Sequence, residues 1–448
     1  MERLSAHASR RGQIILLFAL FIGFLLGFAA LAFDMAYAMV VRAQLVTALD
    51  AATLAAIRYA PDGPTAMSAA AQRTFSANLP AGRLLVSNPT ISTPTITPDN
   101  GATLVTFNGT ADIPTFFARW FGTDGVTINA ATTAARRDRN IVLVLDYSGS
   151  VKPVFDQIKQ ASKAFVNSFS DETDQVGLVI FSTAGRIEIA PKKPFKTDLN
   201  AAIDALDSEM YTNHSMGVYY AYRSLLELND ALKDMKMNEI VLFTDGRANW
   251  FPGRFNVQVG PCTQATVDGV YGIGNNYYGN RVLSMQAPTS PGKPALVAEC
   301  PGWSQGTNAL QSIQALWYPP TSPTAGEIFP AGIALAGFKN SAPPLFDNDM
   351  SNAEREEIAA NVVDNLARKV RQDGFLKPRI HVIGYEGNSP LEQSVLERLS
   401  NCGGCANVDP VDATDTDQAK GKLVLASNQA QLMQAFLEVS GFIGRITQ

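Results

Sequence analysis

Residues 13–33 form an unbroken apolar stretch that contains no charged side chain. About 20 apolar residues are what a helix needs to cross the hydrocarbon core of a bilayer. Arg3, Arg10 and Arg11 precede this stretch, and the first charge after it is Asp34. Because basic flanks stay in the cytoplasm, the pattern predicts a cytoplasmic N-terminal tail and a single span of the cytoplasmic membrane. The remaining chain would then lie in the periplasm or outside.

A secretory signal peptide cleaved near residues 29–32 is the alternative, but the apolar segment of such peptides is only about 7–15 residues long. A permanent anchor is therefore the preferred interpretation. Residues 35–57 contain no glycine or proline and are rich in good helix formers, so the helix should continue outward as a stalk over 34–60. The sequence Pro61-Asp62-Gly63-Pro64 should end it.

The sequence divides into segments of different composition. After a tail at 1–12, the span and the stalk, residues 61–138 are predicted to form a small β-rich domain with one short helix. The helix is expected at 66–78 and β-structure at 84–97, 103–113 and 126–133. Turn sequences at 98–101 and 122–125 separate these runs, as hairpins require.

The N-terminal sequence resembles that of a known family. The motifs are Arg10-Arg11-Gly12-Gln13 before the span, Phe33-Asp34 after it, Gln44-Leu45, and Ala-Leu-Asp-Ala-Ala-Thr-Leu-Ala-Ala at 48–56. With residues 79–135 they are similar to TadE/TadG-like proteins of the bacterial tight-adherence (Flp) pilus machinery. The pseudopilin members of that system carry a Glu shortly after a cleavage Gly. This chain has none there, which favours a permanent anchor.

Residues 139–448 alternate between apolar runs and helix-like segments, which predicts an α/β fold with a doubly wound parallel sheet. Buried strands are predicted at 141–145, 176–181, 239–244 and 379–383. Helices are predicted at 154–169, 199–206, 217–233, 352–372, 391–399 and 428–443.

Candidate metal ligands follow two of these predicted strands. Asp146, Ser148 and Ser150 come directly after the first strand, and Asp245 follows the third. The carboxyl ends of parallel strands meet at one edge of a sheet, so the two carboxylates should lie on the same face. Thr212 could add a hydroxyl from the loop before the next helix. Carboxylate and hydroxyl oxygens suit a hard cation such as Mg²⁺. The alternative is that Asp-x-Ser-x-Ser only caps a helix.

These residues fall in the order of the metal-ion-dependent adhesion site of von Willebrand factor A (vWA) domains, which residues 139–250 and 345–446 resemble. The resemblance implies a Mg²⁺ or Mn²⁺ ion, no catalysis, and binding of a protein partner that presents a carboxylate, such as a pilus or envelope component. Asp245 is expected to act through a water molecule. Tyr211 stands before Thr212 where the family usually has a glycine.

Residues 251–344 are too long for an ordinary connection and are predicted to be an insertion. They are rich in Gly, Pro and Asn and carry several aromatic residues: Tyr271, Tyr277, Tyr278, Trp303, Trp317 and Tyr318. The insertion leaves the sheet just after Asp245, so it should begin on the metal face. It either shapes the binding surface or covers an edge of the domain.

All four cysteines follow residue 139. In an oxidising compartment we expect disulfides, Cys262 with Cys300 and Cys402 with Cys405. Cys402 and Cys405 also form a C-x-x-C motif, which leaves open a redox role or half of a zinc site.

The composition excludes some functions. A net charge of −5 without a basic stripe argues against nucleic acid as a partner, and three histidines disfavour histidine-based hydrolysis. The leading hypothesis is a non-enzymatic, membrane-anchored, metal-dependent protein-binding component of Flp/Tad-type pilus or surface-structure assembly. The alternatives are a structural envelope anchor with a non-functional metal site and a periplasmic thiol oxidoreductase.

Overall fold

A 49-residue helix, α1 (Ser9–Ile57), begins the described chain. The computed structural model describes residues 9–208, 211–259, 264–272, 283–284, 295–296, 308–318, 327–330, 352–387, 391–402 and 418–445. Two units are distinguished: unit 1 is Met1–Asp99 with Thr103–Arg136, and unit 2 is Asn100–Ala102 with Arg137–Gln448.

The predicted continuity of the apolar span and the helix after it is confirmed, because α1 runs through both. Over the described residues, α1 is the one helix long and apolar enough to cross a membrane. Its C-terminal part is not a separate stalk: Val41, Leu45 and Leu49 are fully buried in the core of unit 1. The apolar pattern of this part therefore serves packing within the unit.

Unit 1 completes its core with a second helix and a small sheet. These elements are α2 (Pro64–Asn78), β1 (Ser87–Ile91), β2 (Thr95–Asp99), β3 (Ala102–Pro114) and β4 (Gly125–Arg137). Strand β3 pairs with the other three strands, antiparallel in the case of β1. Side chains of β3 alternate between buried and partly exposed, as expected for a sheet with one face on the core. Gly109 lies against α1, where an added Cβ would stand 2.8 Å from Leu49 Cδ2.

Unit 2 contains the remaining elements. Its strands are β5 (Arg139–Asp146), β6 (Gln175–Phe181), β7 (Gly185–Lys192), β8 (Met237–Thr244), β9 (Trp250–Val259), β10 (Gln264–Gly272), β11 (Leu283–Ser284), β12 (Ala295–Leu296), β13 (Asn308–Tyr318), β14 (Glu327–Pro330), β15 (Arg379–Tyr385) and β16 (Leu423–Ala426). Its helices are α3 (Phe155–Asn167), α4 (Lys196–Ala205), α5 (His214–Leu226), α6 (Asn352–Arg371), α7 (Gln393–Ser400) and α8 (Gln429–Arg445).

The central sheet has the order β16-β15-β8-β5-β6-β7. All neighbours are parallel except β7, which runs antiparallel to β6 at the edge. Helices α3, α4 and α8 contribute to the core on one face of the sheet, and α5, α6 and α7 to the core on the other. The predicted α/β, doubly wound fold is confirmed, with one antiparallel strand added.

The insertion forms a second sheet in its described segments, with the order β12-β11-β10-β9-β13-β14. Its strands are antiparallel, and β9 packs against α5 and α6. Trp250, Phe251 and Val270 are buried where this sheet begins. The aromatic side chains singled out from the sequence at 271–318 lie outside the described side chains.

Candidate metal site

Two neighbouring parallel strands bring the predicted carboxylates together. Strands β5 and β8 pair in register up to Leu145 and Phe243, so Asp146 and Asp245 leave the sheet at the same edge. Both are buried, with exposed fractions of 0% and 1%. The sheet thus places two acidic side chains at its carboxyl edge, away from bulk water.

Hydrogen bonds connect the Asp-x-Ser-x-Ser loop to both carboxylates. The Ser148 backbone N–H donates to Asp146 Oδ1 at 2.9 Å. The Ser148 and Ser150 hydroxyls are 3.0 Å apart, and Ser150 Oγ donates to Asp245 Oδ1 at 2.7 Å. The loop continues into a short 3₁₀ helix, Gly149–Val154, in which no side chain of Ser148 caps the backbone. The helix-cap interpretation of this motif therefore lacks its hydrogen bond.

Thr212 faces the same space as Ser150. A Cβ added to Gly246 would stand 4.0 Å from both Ser150 Oγ and Thr212 Oγ1. Thr212 itself is 4% exposed. All five side chains predicted from the sequence are therefore brought to one place at the edge of the sheet.

The root of the insertion holds the Thr212 loop in position. The Thr212 N–H donates to Asn249 Oδ1 at 2.9 Å, and the N–H groups of Asn249 and Trp250 donate to Thr212 O at 3.0 and 3.1 Å. Tyr211 stacks on the Trp250 ring with centroids 5.1 Å apart. The aromatic residue before Thr212 thus packs on the root of the insertion.

Thr244 and His214, which the sequence did not predict as site residues, hold Asp146 in position. Thr244 Oγ1 donates to Asp146 Oδ2 at 2.7 Å. Since its one proton is used there, Thr244 Oγ1 accepts from His214 Nε2 at 2.8 Å. Burial lowers the pKa of His214 to about 3, so this ring is neutral. The available signal for Thr244 was its place at the end of a strand, one residue before Asp245.

The electrostatics of the two carboxylates are unfavourable without a cation. Burial, and then the nearby negative charge of Asp245, raises the pKa of Asp146 well above its ordinary value. Burial likewise raises the pKa of Asp245. No basic side chain in the described ranges contributes to either pKa. Two buried carboxylates that repel each other ionise together only when a positive charge compensates them.

The donor set fits a hard divalent cation. Asp245 Oδ2 is buried and has no hydrogen-bond partner among the described residues. A buried carboxylate oxygen without a partner is costly, and a metal ion with its bound water would satisfy it. The cluster offers carboxylate and hydroxyl oxygens, which are the ligands that Mg²⁺ and Mn²⁺ prefer. It contains neither sulfur nor imidazole.

The C-x-x-C motif is described only at its first residue. Cys402 follows α7, is 8% exposed, and is not a free thiol. Cys262, Cys300 and Cys405 lie outside the described residues, so both pairings stay predictions.

This sheet and its edge cluster define a von Willebrand factor type A domain, and the model of that family matches residues 140–267. Residues 12–72 match a second family model, described as putative Flp pilus-assembly TadE/G-like. The chain therefore joins a TadE/G-like N-terminal segment to a vWA domain, as its motifs predicted. The apolar helix α1 and the Tad-like segment fit a single-pass membrane protein. No curated protein matches the chain.

Solved structures similar to this chain include three pilus proteins. The PilB minor pilin from Streptococcus sanguinis is 16% identical, with a TM-score of 0.37, over 81% of this chain and 79% of that one. The vWF domain of the type V pili tip protein Mfa5 from Porphyromonas gingivalis is also 16% identical, with a TM-score of 0.37, over 70% and 98%. The pilus adhesin SpaC from Lactobacillus rhamnosus GG is 12% identical, with a TM-score of 0.38, over 82% and 35%.

The raised carboxyl pKa values predict how the stability of the metal-free protein depends on pH. Both groups hold their protons more tightly in the folded chain than at the ordinary value of 3.8. The folded state therefore binds more protons between pH about 4 and about 7, and stability should fall as the pH rises through that window. Asp146→Asn should remove much of this dependence and raise the free energy of unfolding at neutral pH by roughly 1–3 kcal/mol.

Thermal unfolding of the detergent-solubilised full chain in chelator, across this pH range, measures the effect. Asp156→Asn is the matched control because Asp156 is exposed on α3. A metal-free wild type that gains stability as the pH rises, with Asp146→Asn no more stable than the control variant, would contradict the account.

Proposed function

We propose that this chain is a membrane-anchored, non-enzymatic component of Flp/Tad-type pilus or surface-structure assembly, and that it binds a protein partner in a metal-dependent way. The observation that carries the proposal is the buried Asp146 and Asp245 pair, surrounded by hydroxyls, in a vWA domain attached to a TadE/G-like anchor. A buried carboxylate pair without a basic neighbour is unfavourable, and a bound cation would compensate its charge.

Ser148, Ser150 and Thr212 would hold a Mg²⁺ or Mn²⁺ ion together with Asp146 and Asp245. When bound, the ion supplies a positively charged position that can accept a carboxylate oxygen. The two aspartates only balance its charge, so a Glu or Asp from another protein is the partner chemistry that suits the site. Octahedral Mg²⁺ accommodates about six oxygens, so Asp245 is proposed to act through a water molecule.

The insertion is proposed to shape the partner-binding surface. Its support is the set of hydrogen bonds between its root and the Thr212 loop. Because Thr212 is held by Asn249 and Trp250, a partner that contacts the insertion can alter the position of a hydroxyl in the metal site. The aromatic residues at 271–318 would supply apolar contact around the carboxylate.

The location follows from the charge asymmetry of the N-terminus. Arg3, Arg10 and Arg11 favour a cytoplasmic tail, so the vWA domain is proposed to lie outside the cytoplasmic membrane. In that compartment the pairs Cys262–Cys300 and Cys402–Cys405 would be oxidised to disulfides. Closing the first loop would stabilise the insertion by a few kcal/mol, chiefly by restricting its unfolded chain.

Removing the central carboxylate should abolish metal and partner binding together. Asp146→Ala is expected to lower Mg²⁺ affinity by at least about tenfold, since a charged ligand and its hydrogen bonds are lost. The domain should stay folded, because the substitution also removes a buried negative charge. Calorimetric titration with Mg²⁺ and pull-down from envelope extract, each with and without chelator, provide the measurements.

Asp156→Ala is the matched control, because this aspartate is exposed and should leave both properties unchanged. Equal partner recovery in the presence and absence of chelator would refute metal dependence and leave a structural anchor as the function.

The link between the insertion and the site can be tested at Asn249. Asn249→Ala removes the acceptor of the Thr212 N–H and should free the Thr212 loop. We expect Mg²⁺ affinity to fall by about fivefold, since a hydrogen bond contributes about 1 kcal/mol. Asn365→Ala is a control on α6, where the amide donates to the Asn361 carbonyl of the same helix. Unchanged Mg²⁺ affinity in Asn249→Ala would show that the insertion root does not support the site.

A further inference from the structure

A loop of unit 1 exposes large aromatic rings. We call residues 116–121, Phe-Phe-Ala-Arg-Trp-Phe, the aromatic loop. The Trp120 and Phe121 side chains are each 76% exposed, and Phe116 is 36% exposed. A cluster of exposed apolar rings on a folded unit marks a surface that contacts something apolar.

The aromatic loop lies beside the end of the apolar span. Phe33 of α1 makes edge-to-face contacts with Phe116 and Phe117, at centroid distances of 5.6 and 5.8 Å. Helix and loop together line an apolar groove of about 740 Å³. Its lining residues are Leu26, Gly27, Ala29, Ala30, Phe33, Phe116, Phe117, Trp120 and Phe121. The helical wall, 26–33, is the last eight residues of the uncharged stretch, about 12 Å of helix.

Asp34, which follows Phe33 in α1, fixes the aromatic loop to the helix. Its carboxylate accepts hydrogen bonds from the backbone N–H groups of Phe116, Phe117 and Ala118 at 2.9, 3.0 and 2.8 Å. The Asp34 side chain is buried, although it directly follows the span. One side chain thus satisfies three successive donors of an irregular segment.

Further donors around the loop are also satisfied internally. The N–H groups of Trp120, Gly122 and Thr123 donate to the carbonyls of Phe117, Arg119 and Ala118 at 3.1, 3.1 and 3.2 Å. The Thr115 N–H donates to Asp124 O at 3.2 Å. Backbone that contacts hydrocarbon must satisfy its polar groups within the protein, and these seven N–H groups meet that requirement.

We propose that the aromatic loop inserts into the membrane leaflet that surrounds the C-terminal end of the α1 span. Lipid acyl chains fill the groove beside Leu26–Phe33, because its helical wall belongs to the span itself. Trp120 lies at the interface between headgroups and acyl chains, where tryptophan is enriched. Arg119 is exposed between the rings and extends to the lipid phosphates.

The insertion gives unit 1 a second attachment to the bilayer besides its helix. A single helix can rotate and tilt in a membrane, whereas aromatic and basic residues at the interface fix its depth and rotation. Asp34 is the positioning residue of this attachment, since it holds the loop against the helix.

Tryptophan quenching by lipid tests the proposal with the full chain in phosphatidylcholine vesicles. Emission is compared between vesicles whose acyl chains carry bromine and vesicles whose acyl chains do not. Trp120 is one of four tryptophans. We expect brominated lipid to quench the wild type and the quenched intensity to fall by about half or more in Trp120→Phe. Phe121→Trp adds an independent reporter, and its emission should gain a quenchable component.

Asp34→Ala should release the loop, lower quenching by brominated lipid and raise quenching by acrylamide in the water. Asp50→Ala is the matched control, because Asp50 is exposed on the same helix. Equal lipid quenching of the wild type, Trp120→Phe and Phe121→Trp would overturn the proposal. In that event, quenching of Trp120 by acrylamide would place the loop in water. If acrylamide did not quench Trp120, a second copy or another protein would cover the loop.

Discussion

Two carboxylates buried side by side at the carboxyl edge of the central sheet constrain much of the structure of unit 2. Asp146 and Asp245 are there because β5 and β8 are adjacent parallel strands that end in register. Thr244 and Ser150 each donate a hydrogen bond to one of them, yet Asp245 Oδ2 keeps no partner among the described residues. The folded domain therefore carries an electrostatic cost that a bound cation would remove. This cost is the physical basis of the metal site proposed at this edge.

The carboxylate of Asp34 in unit 1 is also removed from bulk water, but it is stabilised by the protein alone. Three backbone N–H groups satisfy it. Its role is therefore complete without a further ligand, and it holds a loop against a helix. The comparison separates a carboxylate that organises structure from a pair whose hydrogen bonding is left incomplete.

The sequence predicted the central sheet well because its strands are continuous apolar runs, such as Ile141–Leu145. It missed β7 and β16, since one is a partly exposed edge strand and the other has only four residues. Helix α5 ends at Leu226 and not near Lys233. The reason is that Asp230 accepts from the Leu232 N–H and from Gln175, which stabilises a turn there.

Site residues were predictable where strand ends and motif order located them. Two contacts could not be predicted: Tyr211 with Trp250, and Thr212 with Asn249. They join the loop before α5 to the first residues of the insertion. The strands of the insertion were also missed, since glycine, proline and asparagine obscure their alternation. In both cases the information lies in tertiary contacts and not in a local pattern.

The most direct test of the central claim is the position of a bound ion in crystals of the protein grown with Mn²⁺. Anomalous scattering from manganese locates the ion without reference to its ligands. A manganese peak is expected among the oxygens of Asp146, Ser148, Ser150 and Thr212, with direct ligand distances of about 2.0–2.3 Å. A crystal in which manganese binds only elsewhere, while Ser150 still donates to Asp245, would contradict it.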